Sequence, residues 1–512
     1  MKTINYYLRK PLGLFSGVFI LGMLLSWSFP PHAVSWSLIP VLGVFLYGLE
    51  QRTGFWRSFA YGYLFYLGAG IAFIGQWFSY YFRLQVGASY ILSYFLTLIL
   101  CLYAAIYIGL ICGFYARFKT RYPLVNQLLL FPSLWVLTEL LRDTFFPRSW
   151  YALGYTQVNN LLFRGYFPVI GVYGVSFILL ALSGLLGWLI INHHKRQLFG
   201  AILGTAVFAS VSLALANIDY TQRQEKPLSV ALVQPSIFST KNYTMQILLE
   251  IENTSRELIQ NTQADLIVLP ETVFGTGLNY LTPGYLDELN QIVAAKKALL
   301  LFGTPIHNQD GSEQTGIVAS TDTANPLYLK HHLVPFGEYN PLQDTWLAPL
   351  LGNSASLIEN YLPGAEVQPP AQLLGHKFAF NICYENAIND FVAENAKNAE
   401  IMLNQSDLSW YGKTGMKDAF FQFSQARALE NQRYFLQDGN TGDTAIIDNH
   451  GKVISSIPPY QAGVAQAQVY GYSGETPFEK WGNRPLLWLS LAITLLSLVY
   501  GWRNGGRKNA QK

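Results

Sequence analysis

The sequence is poor in charged residues and in cysteine. Asp, Glu, Lys and Arg make up 13% of its 512 residues, whereas apolar residues make up 51%. The net charge is +3 and the basic residues form no block, so nothing in the composition indicates a nucleic-acid partner. The three cysteines, Cys101, Cys112 and Cys383, provide no disulfide framework. Low charge together with this apolar content is typical of a membrane protein.

The sequence also lacks a metal-ligand pattern. His331 and His332 are adjacent, but no further His or Cys stands at the spacing that a zinc site requires. We therefore expect no metal ion, and we expect no other cofactor.

Long apolar runs, in contrast, are abundant. A helix needs roughly 20 residues to cross the hydrocarbon core of a bilayer. Eight runs approach or reach that length and predict eight transmembrane helices, at residues 12–27, 34–49, 55–78, 88–115, 128–141, 167–191, 198–216 and 485–502. The first run lacks a small-residue cleavage site, so we expect it to be retained and not removed as a signal peptide.

The basic residues predict the orientation of these helices. Most of them lie at alternate ends of the runs, namely Lys2, Arg9, Lys10, Arg52, Arg57, Arg117, Lys119, Arg121, Lys195, Arg196, Arg503, Arg507, Lys508 and Lys512. By the positive-inside rule both termini are then cytoplasmic. The segment between the seventh and eighth runs is therefore expected on the outer side of the membrane.

This outer segment alternates between strand-like and helix-like patterns. We predict strands at residues 228–233, 266–269, 299–302, 378–382, 401–404 and 444–447, and helices at 245–260, 285–297 and 417–433. The alternation favours an α/β domain with a sheet covered by helices. The predicted organisation is a transmembrane domain of seven helices at 1–220, a catalytic α/β domain at 226–470, and an eighth transmembrane helix at 485–502.

Three reactive side chains follow predicted strands of this domain. Glu271 follows the run 266–269, Lys330 follows Tyr328-Leu329, and Cys383 follows the run 378–382. If the three strands belong to one sheet, their ends meet at one edge, where α/β folds place their sites. Taken alone, Cys383 could equally be an inert buried cysteine, which is the commoner fate of a free thiol.

The three residue types suit nucleophilic catalysis. A free thiol has a pKa of about 8.5, so a base must take its proton as the sulfur attacks. Glu271 can be that base. Attack on a carbonyl creates an oxyanion, which Lys330 and the backbone N–H of Tyr384 can stabilise.

The same positions resemble a known superfamily. Pro270-Glu271, Lys330 with Pro335-Phe336-Gly337-Glu338, and Cys383-Tyr384-Glu385 resemble the Glu-Lys-Cys triad of the nitrilase, or carbon-nitrogen hydrolase, superfamily. A domain of this kind placed before the last of eight membrane spans is similar to the bacterial apolipoprotein N-acyltransferases. The resemblance implies an α-β-β-α sandwich.

The resemblance also implies roles for particular residues. Glu271 would be the general base, Lys330 the oxyanion stabiliser and Cys383 the nucleophile. Glu338 and Glu385 would be supporting carboxylates that hold Lys330. The substrate pocket would be lined by Tyr384, Trp410 and Tyr243. Two positions depart from the family pattern, because Tyr243 stands where the family often has tryptophan and Phe420 where it often has histidine.

The implied reaction is transfer of a phospholipid acyl chain, through a cysteine thioester, to the α-amino group of the N-terminal S-diacylglyceryl cysteine of a lipoprotein. The implied setting is the bacterial inner membrane, with a monomeric enzyme and its catalytic domain on the periplasmic face. Two alternatives stay open at this point. One is a membrane-tethered amidase or nitrilase in which water resolves the thioester; the other is a membrane scaffold without enzymatic activity.

Overall fold

A computed structural model describes residues 11–85, 87–145, 151–192, 194–238, 244–335, 337–340, 361–442 and 444–509. They fall into two compact units. The helical unit is drawn from residues 1–82, 88–218 and 481–512, and the sheet unit from residues 83–87 and 219–480.

The helical unit consists of apolar helices. They are α1 (Pro11–Leu25), α2 (Leu38–Glu50), α3 (Phe55–Phe73), α4 (Gly75–Gln85), α5 (Tyr90–Phe118), α6 (Phe131–Phe145), α7 (Phe167–Ile191), α8 (Lys195–Leu215) and, after the sheet unit, α13 (Arg484–Asn509). The short helix Pro123–Val125 and the π-helical turn Asn126–Leu130 lead directly into α6.

Five helical segments among the described residues are long and apolar enough to cross a membrane: Tyr90–Phe118, Pro123–Leu141, Phe167–Ile191, Lys195–Leu215 and Arg484–Gly501. The pair α3 and α4, bent by 56°, raises this number to six if it forms one span. The segments Phe15–Ser28 and Ser35–Glu50 are apolar but shorter. The predicted runs are therefore helical, while the predicted number of eight crossings is not confirmed.

Small residues allow two of these helices to pack closely. A Cβ on Gly22 of α1 would collide with the carbonyl oxygen of Phe65 in α3, and one on Gly68 of α3 would collide with that of Phe19 in α1. In lipid, where apolar surface alone does not drive helix association, such backbone contact is a main source of packing energy.

The sheet unit contains two six-stranded sheets, with the orders β12-β1-β2-β3-β4-β5 and β11-β10-β9-β8-β7-β6. We call them the first and the second sheet. The strands are β1 (Thr221–Gln234), β2 (Leu266–Val268), β3 (Leu299–His307), β4 (Glu313–Ala319), β5 (Tyr328–Leu329), β6 (Ala371–Leu373), β7 (His376–Ile382), β8 (Ile401–Ser406), β9 (Tyr434–Gly439), β10 (Thr444–Ile447), β11 (Val453–Ile457) and β12 (Gly463–Gly474). In each sheet the central strands are parallel, β1-β2-β3 and β7-β8-β9, and the outer ones antiparallel.

Helices cover one face of each sheet. Helices α9 (Met245–Gln260) and α10 (Tyr285–Ala295) share an apolar core with the first sheet. Helices α11 (Asn389–Ala396) and α12 (Met416–Asn431) share another with the second sheet. The other faces meet, since Gln405 of β8 donates a hydrogen bond of 2.7 Å to the carbonyl of Leu269 beyond β2. The layers are therefore α-β-β-α.

The α-β-β-α sandwich implied by the resemblance is confirmed, whereas the single sheet inferred from the alternation of strands and helices was wrong. The predicted strands exist, and α9 has the predicted bounds, but β4, β6, β9, β11 and β12 escaped prediction. For β9 the reason is local. The predicted helix continued to residue 433, whereas Gln432 adopts a left-handed conformation with φ 44° that ends α12 at Asn431.

Candidate active site

Glu271 lies just beyond the end of β2, in the turn that follows Pro270. Its Cα approaches β3 so closely that a Cβ on Gly303 would lie 2.7 Å from it. The glycine therefore leaves room for Glu271 at this point. The carboxylate itself is almost fully buried, with a relative exposure of 6%.

Lys330 follows β5 and is the cation of the site. Its ammonium Nζ lies 3.0 Å from Glu271 Oε1 and 2.6 Å from Glu338 Oε1, and the residue is 1% exposed. The backbone N–H of Lys330 donates to the carbonyl of Thr315 at 2.8 Å, which continues the sheet and fixes the direction of the side chain. An ammonium has three donor hydrogens, and the two carboxylates take two of them.

Cys383 follows β7 of the second sheet and begins a 3-10 turn, Cys383–Ala387. Its φ of 54° is unusual for a residue other than glycine. Backbone conformations of this kind cost about 1 to 3 kcal/mol and occur preferentially at functional sites. The Cys383 thiol and the Glu271 carboxylate influence each other's pKa, so the two side chains are neighbours. The turn at the end of β7 thus holds the thiol beside a carboxylate.

Burial and charge together set the protonation of these groups. Burial raises the pKa of the Cys383 thiol well above its ordinary value, and the neighbouring Glu271 carboxylate raises it further, so the resting residue is a thiol. Burial also raises the pKa of Glu271, although Lys330 opposes this. Burial alone would lower the pKa of Lys330, but Glu271 and Glu338 outweigh it and keep the ammonium charged. The arrangement is a protonated thiol beside a carboxylate that can accept its proton.

The two supporting carboxylates make different contacts. Glu338 bonds Lys330 through Oε1 and accepts the backbone N–H of Val334 at 2.7 Å through Oε2. Within the described part of the chain, Glu385 makes no hydrogen bond to the Lys330 ammonium. Its four hydrogen bonds come from the N–H groups of His331, His332 and Ile382 and from the hydroxyl of Tyr328. Glu385 therefore connects the backbone before Cys383 with the backbone after Lys330.

The site is built from both sheets. It does not lie at one edge of a single sheet. Glu271 and Lys330 follow strands of the first sheet, whereas Cys383 follows a strand of the second. A further bond across the sheets, from the backbone N–H of Asp407 to Glu271 Oε2, measures 2.9 Å. The three side chains meet because the two sheets stack face to face.

The remaining predicted residues lie near these segments in the chain. Tyr384 is buried directly after Cys383, and Trp410 is half buried in the 3-10 turn Ser409–Tyr411. Phe420 is buried in α12. Tyr243 lies outside the described residues.

Other polar residues near the site bond within their own segments. Asp407 Oδ1 accepts the N–H of Ser409 at 2.9 Å. Arg427 and Glu430 of α12 are fully buried, with Nη2 and Oε2 3.0 Å apart. Asn404 was not predicted as a site residue. In the structure its Nδ2 donates to the carbonyl of Cys383 at 3.1 Å. The only signal available was its position at the end of a predicted strand.

No group of three or more His, Cys, Asp or Glu in the described part of the chain could hold a metal ion.

Comparison with known proteins matches both units. A family model described as Carbon-nitrogen hydrolase matches residues 229–478. One described as Apolipoprotein N-acyltransferase N-terminal domain matches residues 21–185. Among solved structures, an amidase of the nitrilase superfamily from Nesterenkonia AN1 is 17% identical, with a TM-score of 0.32 over 47% of this chain and 90% of that chain.

Relatives extend along nearly the whole sequence. The apolipoprotein N-acyltransferase of Chromobacterium violaceum is 33% identical over 495 residues, which are 95% of this chain and 93% of the relative. That of Vibrio vulnificus is 28% identical over 99% of this chain and 100% of the relative. The chain therefore belongs to the apolipoprotein N-acyltransferase family.

Proposed function

We propose that this protein is a membrane acyltransferase that N-acylates lipoproteins. It takes an acyl chain from a phospholipid, carries it as a thioester on Cys383, and transfers it to the α-amino group of an N-terminal S-diacylglyceryl cysteine. The observation that carries the proposal is the buried group of Glu271, Lys330 and Cys383, with Lys330 3.0 Å from Glu271, in a chain of this family.

The first half-reaction forms the thioester. Glu271 accepts the thiol proton while the sulfur attacks the ester carbonyl, and the third hydrogen of the Lys330 ammonium, with the backbone N–H of Tyr384, stabilises the oxyanion. When the intermediate collapses, the glycerol oxygen leaves and receives the proton from Glu271. The products are a lysophospholipid and the acylated enzyme.

The second half-reaction forms the amide. The α-amino group of the lipoprotein attacks the thioester, Glu271 accepts a proton from the nitrogen, and the same donors stabilise the second oxyanion. The sulfur then leaves and recovers its proton from Glu271. Ping-pong kinetics follow from this order of events.

Supporting residues are assigned by their contacts. Glu338 keeps Lys330 in place through the 2.6 Å ion pair, and Glu385 orients the segments on either side of it through its backbone bonds. Tyr384, Trp410 and Tyr243 are proposed to line the substrate pocket. The alignment of catalytic groups requires neither a metal ion nor another cofactor.

The helical unit is proposed to cross the bacterial inner membrane eight times, with the transmembrane domain at 1–220, the catalytic domain at 226–470 on the periplasmic face, and the last span at 485–502. Both termini are then cytoplasmic. The enzyme is proposed to act as a monomer without nucleic-acid partners.

A pocket within the helical unit supports a lipid substrate. Its lining is mainly apolar and aromatic, including Phe29, Phe73, Tyr103 and Trp135. Burying each CH₂ group of an acyl chain in such surroundings is worth about 0.8 kcal/mol. A substrate with long acyl chains therefore gains binding energy that a small soluble amide would not.

Intact-mass measurement after incubation with phospholipid alone tests the proposal. The wild-type protein should gain the mass of one acyl chain, and hydroxylamine should remove it. Cys383→Ala should gain nothing, whereas Cys101→Ala, a matched change at another buried cysteine, should behave as wild type. Release of free fatty acid without an adduct would indicate a hydrolase, and no change of either kind would contradict the enzymatic proposal.

A further inference from the structure

Asp438 is a buried carboxylic acid that takes no part in the reaction described above. It lies on β9 in the second sheet and is 0% exposed. Neither of its carboxyl oxygens has a hydrogen-bond partner among the described residues. Burying an unpaired carboxylate costs several kcal/mol, so the residue requires an explanation.

The alternation of side chains along β9 shows which way Asp438 faces. Gln437 points to the helix layer, where it bonds Ser424 of α12 at 2.7 Å, and Phe435 belongs to the core shared with the helices. Successive residues of a strand point to opposite faces. Asp438 therefore faces the first sheet, inside the layer between the two sheets.

Its neighbour on that face is Gln405. The two residues are paired in the parallel register of β8 and β9, so their side chains stand side by side. Gln405 also faces the first sheet, because its Nε2 donates to the carbonyl of Leu269. Its Oε1 has no hydrogen-bond partner among the described residues.

Asp438 and Gln405 are thus neighbours on one face of the second sheet, and both carry buried acceptor oxygens without a donor among the described residues. A single proton on Asp438 removes the conflict, because a carboxylic acid can donate where a carboxylate cannot. Burial raises the pKa of Asp438 well above its ordinary value, and no neighbouring charge contributes to the shift. On the other side of β9, strand β10 presents Thr444, whose hydroxyl already donates to Gln234.

We propose that Asp438 is a positioning residue for acyl transfer, which as a neutral carboxylic acid donates a hydrogen bond to Gln405 Oε1. The bond fixes the Gln405 amide, so that its Nε2 stays on the carbonyl of Leu269. Leu269 stands two residues before Glu271, and the strand that carries Gln405 ends next to Asp407, whose N–H binds Glu271 Oε2. Asp438 thereby orients the general base from within the layer between the two sheets.

The inference rests on the proposed function, because its readout is the rate of thioester formation. Asp438→Asn keeps a donor of nearly the same size, and Asp438→Leu keeps the size without a donor. We expect Asp438→Asn to form the thioester within about twofold of the wild-type rate, and Asp438→Leu to form it about tenfold more slowly with an unchanged KM for phospholipid. The Leu variant should melt no lower than wild type, because it buries no unpaired acid.

Gln405, the proposed hydrogen-bond partner of Asp438, provides a second, independent variant. Gln405→Leu should slow thioester formation to a similar extent, and adding Asp438→Leu to it should cause no further loss. Wild-type rates in Asp438→Leu, or an Asn variant as slow as the Leu variant, would overturn the inference. A wild-type protein that forms no adduct would instead refute the proposed function, so the two failures are distinguishable.

Discussion

Two of the groups of buried ions in the sheet unit have hydrogen bonds of different kinds. Lys330 contacts the carboxylates of Glu271 and Glu338, and Cys383 lies near enough for Glu271 to raise its pKa. Arg433 contacts Glu479 at 2.6 Å and also donates to the carbonyls of Ala399, Asn431 and Gly474. Every partner of the Lys330 ammonium is a side chain, whereas most partners of the Arg433 guanidinium are backbone groups.

This difference in hydrogen-bond partners distinguishes a candidate active site from an ion pair that only stabilises the fold. Four of the five N–H groups of Arg433 are used by fixed acceptors, so the guanidinium joins segments of the chain and offers little to a ligand. Two of the three ammonium hydrogens of Lys330 are used, which leaves one for the proposed oxyanion, and the proposed nucleophile Cys383 lies nearby. Burial and ion pairing are common to both groups, so neither property alone marks a functional site.

The largest expected effect is on the rate of thioester formation. Lys330→Met removes the cation that stabilises the oxyanion, which typically costs a factor of about 10² to 10³. Arg433→Met should leave the rate per folded molecule unchanged. Single-turnover acylation followed by intact mass measures both. A Lys330→Met protein within threefold of the wild-type rate would remove the distinction between the two groups.

The second effect is on the free energy of unfolding. The two single substitutions, Lys330→Met and Arg433→Met, should lower it by similar amounts. Either single change leaves a buried carboxylate without its cation, which costs about 3 to 5 kcal/mol. This corresponds to a fall in Tm of roughly 10 °C. The double variant Arg433→Met with Glu479→Met should recover most of the loss. Lys330→Met with Glu338→Met should recover only part of it, because Glu271 stays buried without its cation. Thermal unfolding in detergent measures both. Of the two, only the Arg433 double variant should retain the wild-type acylation rate.

The smallest effect is a shift of the pH profile. Burial raises the pKa of Glu271, Lys330 lowers it and Glu338 raises it. Glu271 must be ionised to act as a base, so thioester formation falls as the pH drops through this pKa. Glu338→Gln removes one of the two influences that raise the pKa of Glu271, so the acid limb should move to lower pH.

A matched change elsewhere serves as the control for this shift. Glu400 bonds His376 on the second sheet and does not contribute to the pKa of Glu271. Glu400→Gln should therefore leave the acid limb in place. A movement of the limb to higher pH in Glu338→Gln would contradict the proposed role of Glu271 as the base.

Much of the local structure follows from the sequence. The apolar runs 266–269, 378–382 and 401–404 predicted strands because they are short, buried and followed by polar residues, and the amphipathic pattern at 245–260 predicted α9. Strand ends also identified Glu271, Lys330 and Cys383 as candidates, since reactive side chains there are held by the strand yet reach beyond it.

Strands without a continuous apolar run were not predictable in this way. β12 carries Gly, Ala, Gln and Tyr, and its burial alternates because it lies at the edge of the first sheet. Its place is determined by its pairing with β1, more than 200 residues away in sequence. No local periodicity encodes such a contact.

The sequence by itself determined the apolar helices, the strands with apolar cores and the residue types available for chemistry, because these depend on neighbouring residues. Only the tertiary structure decided that the strands form two stacked sheets, that Cys383 comes from the sheet opposite Glu271, and that Glu385 bonds backbone in place of the ammonium. It also decided that Asp438 faces Gln405 inside the sandwich. These features depend on which distant strands pair and on which faces are buried together, and both are set by packing over the whole unit.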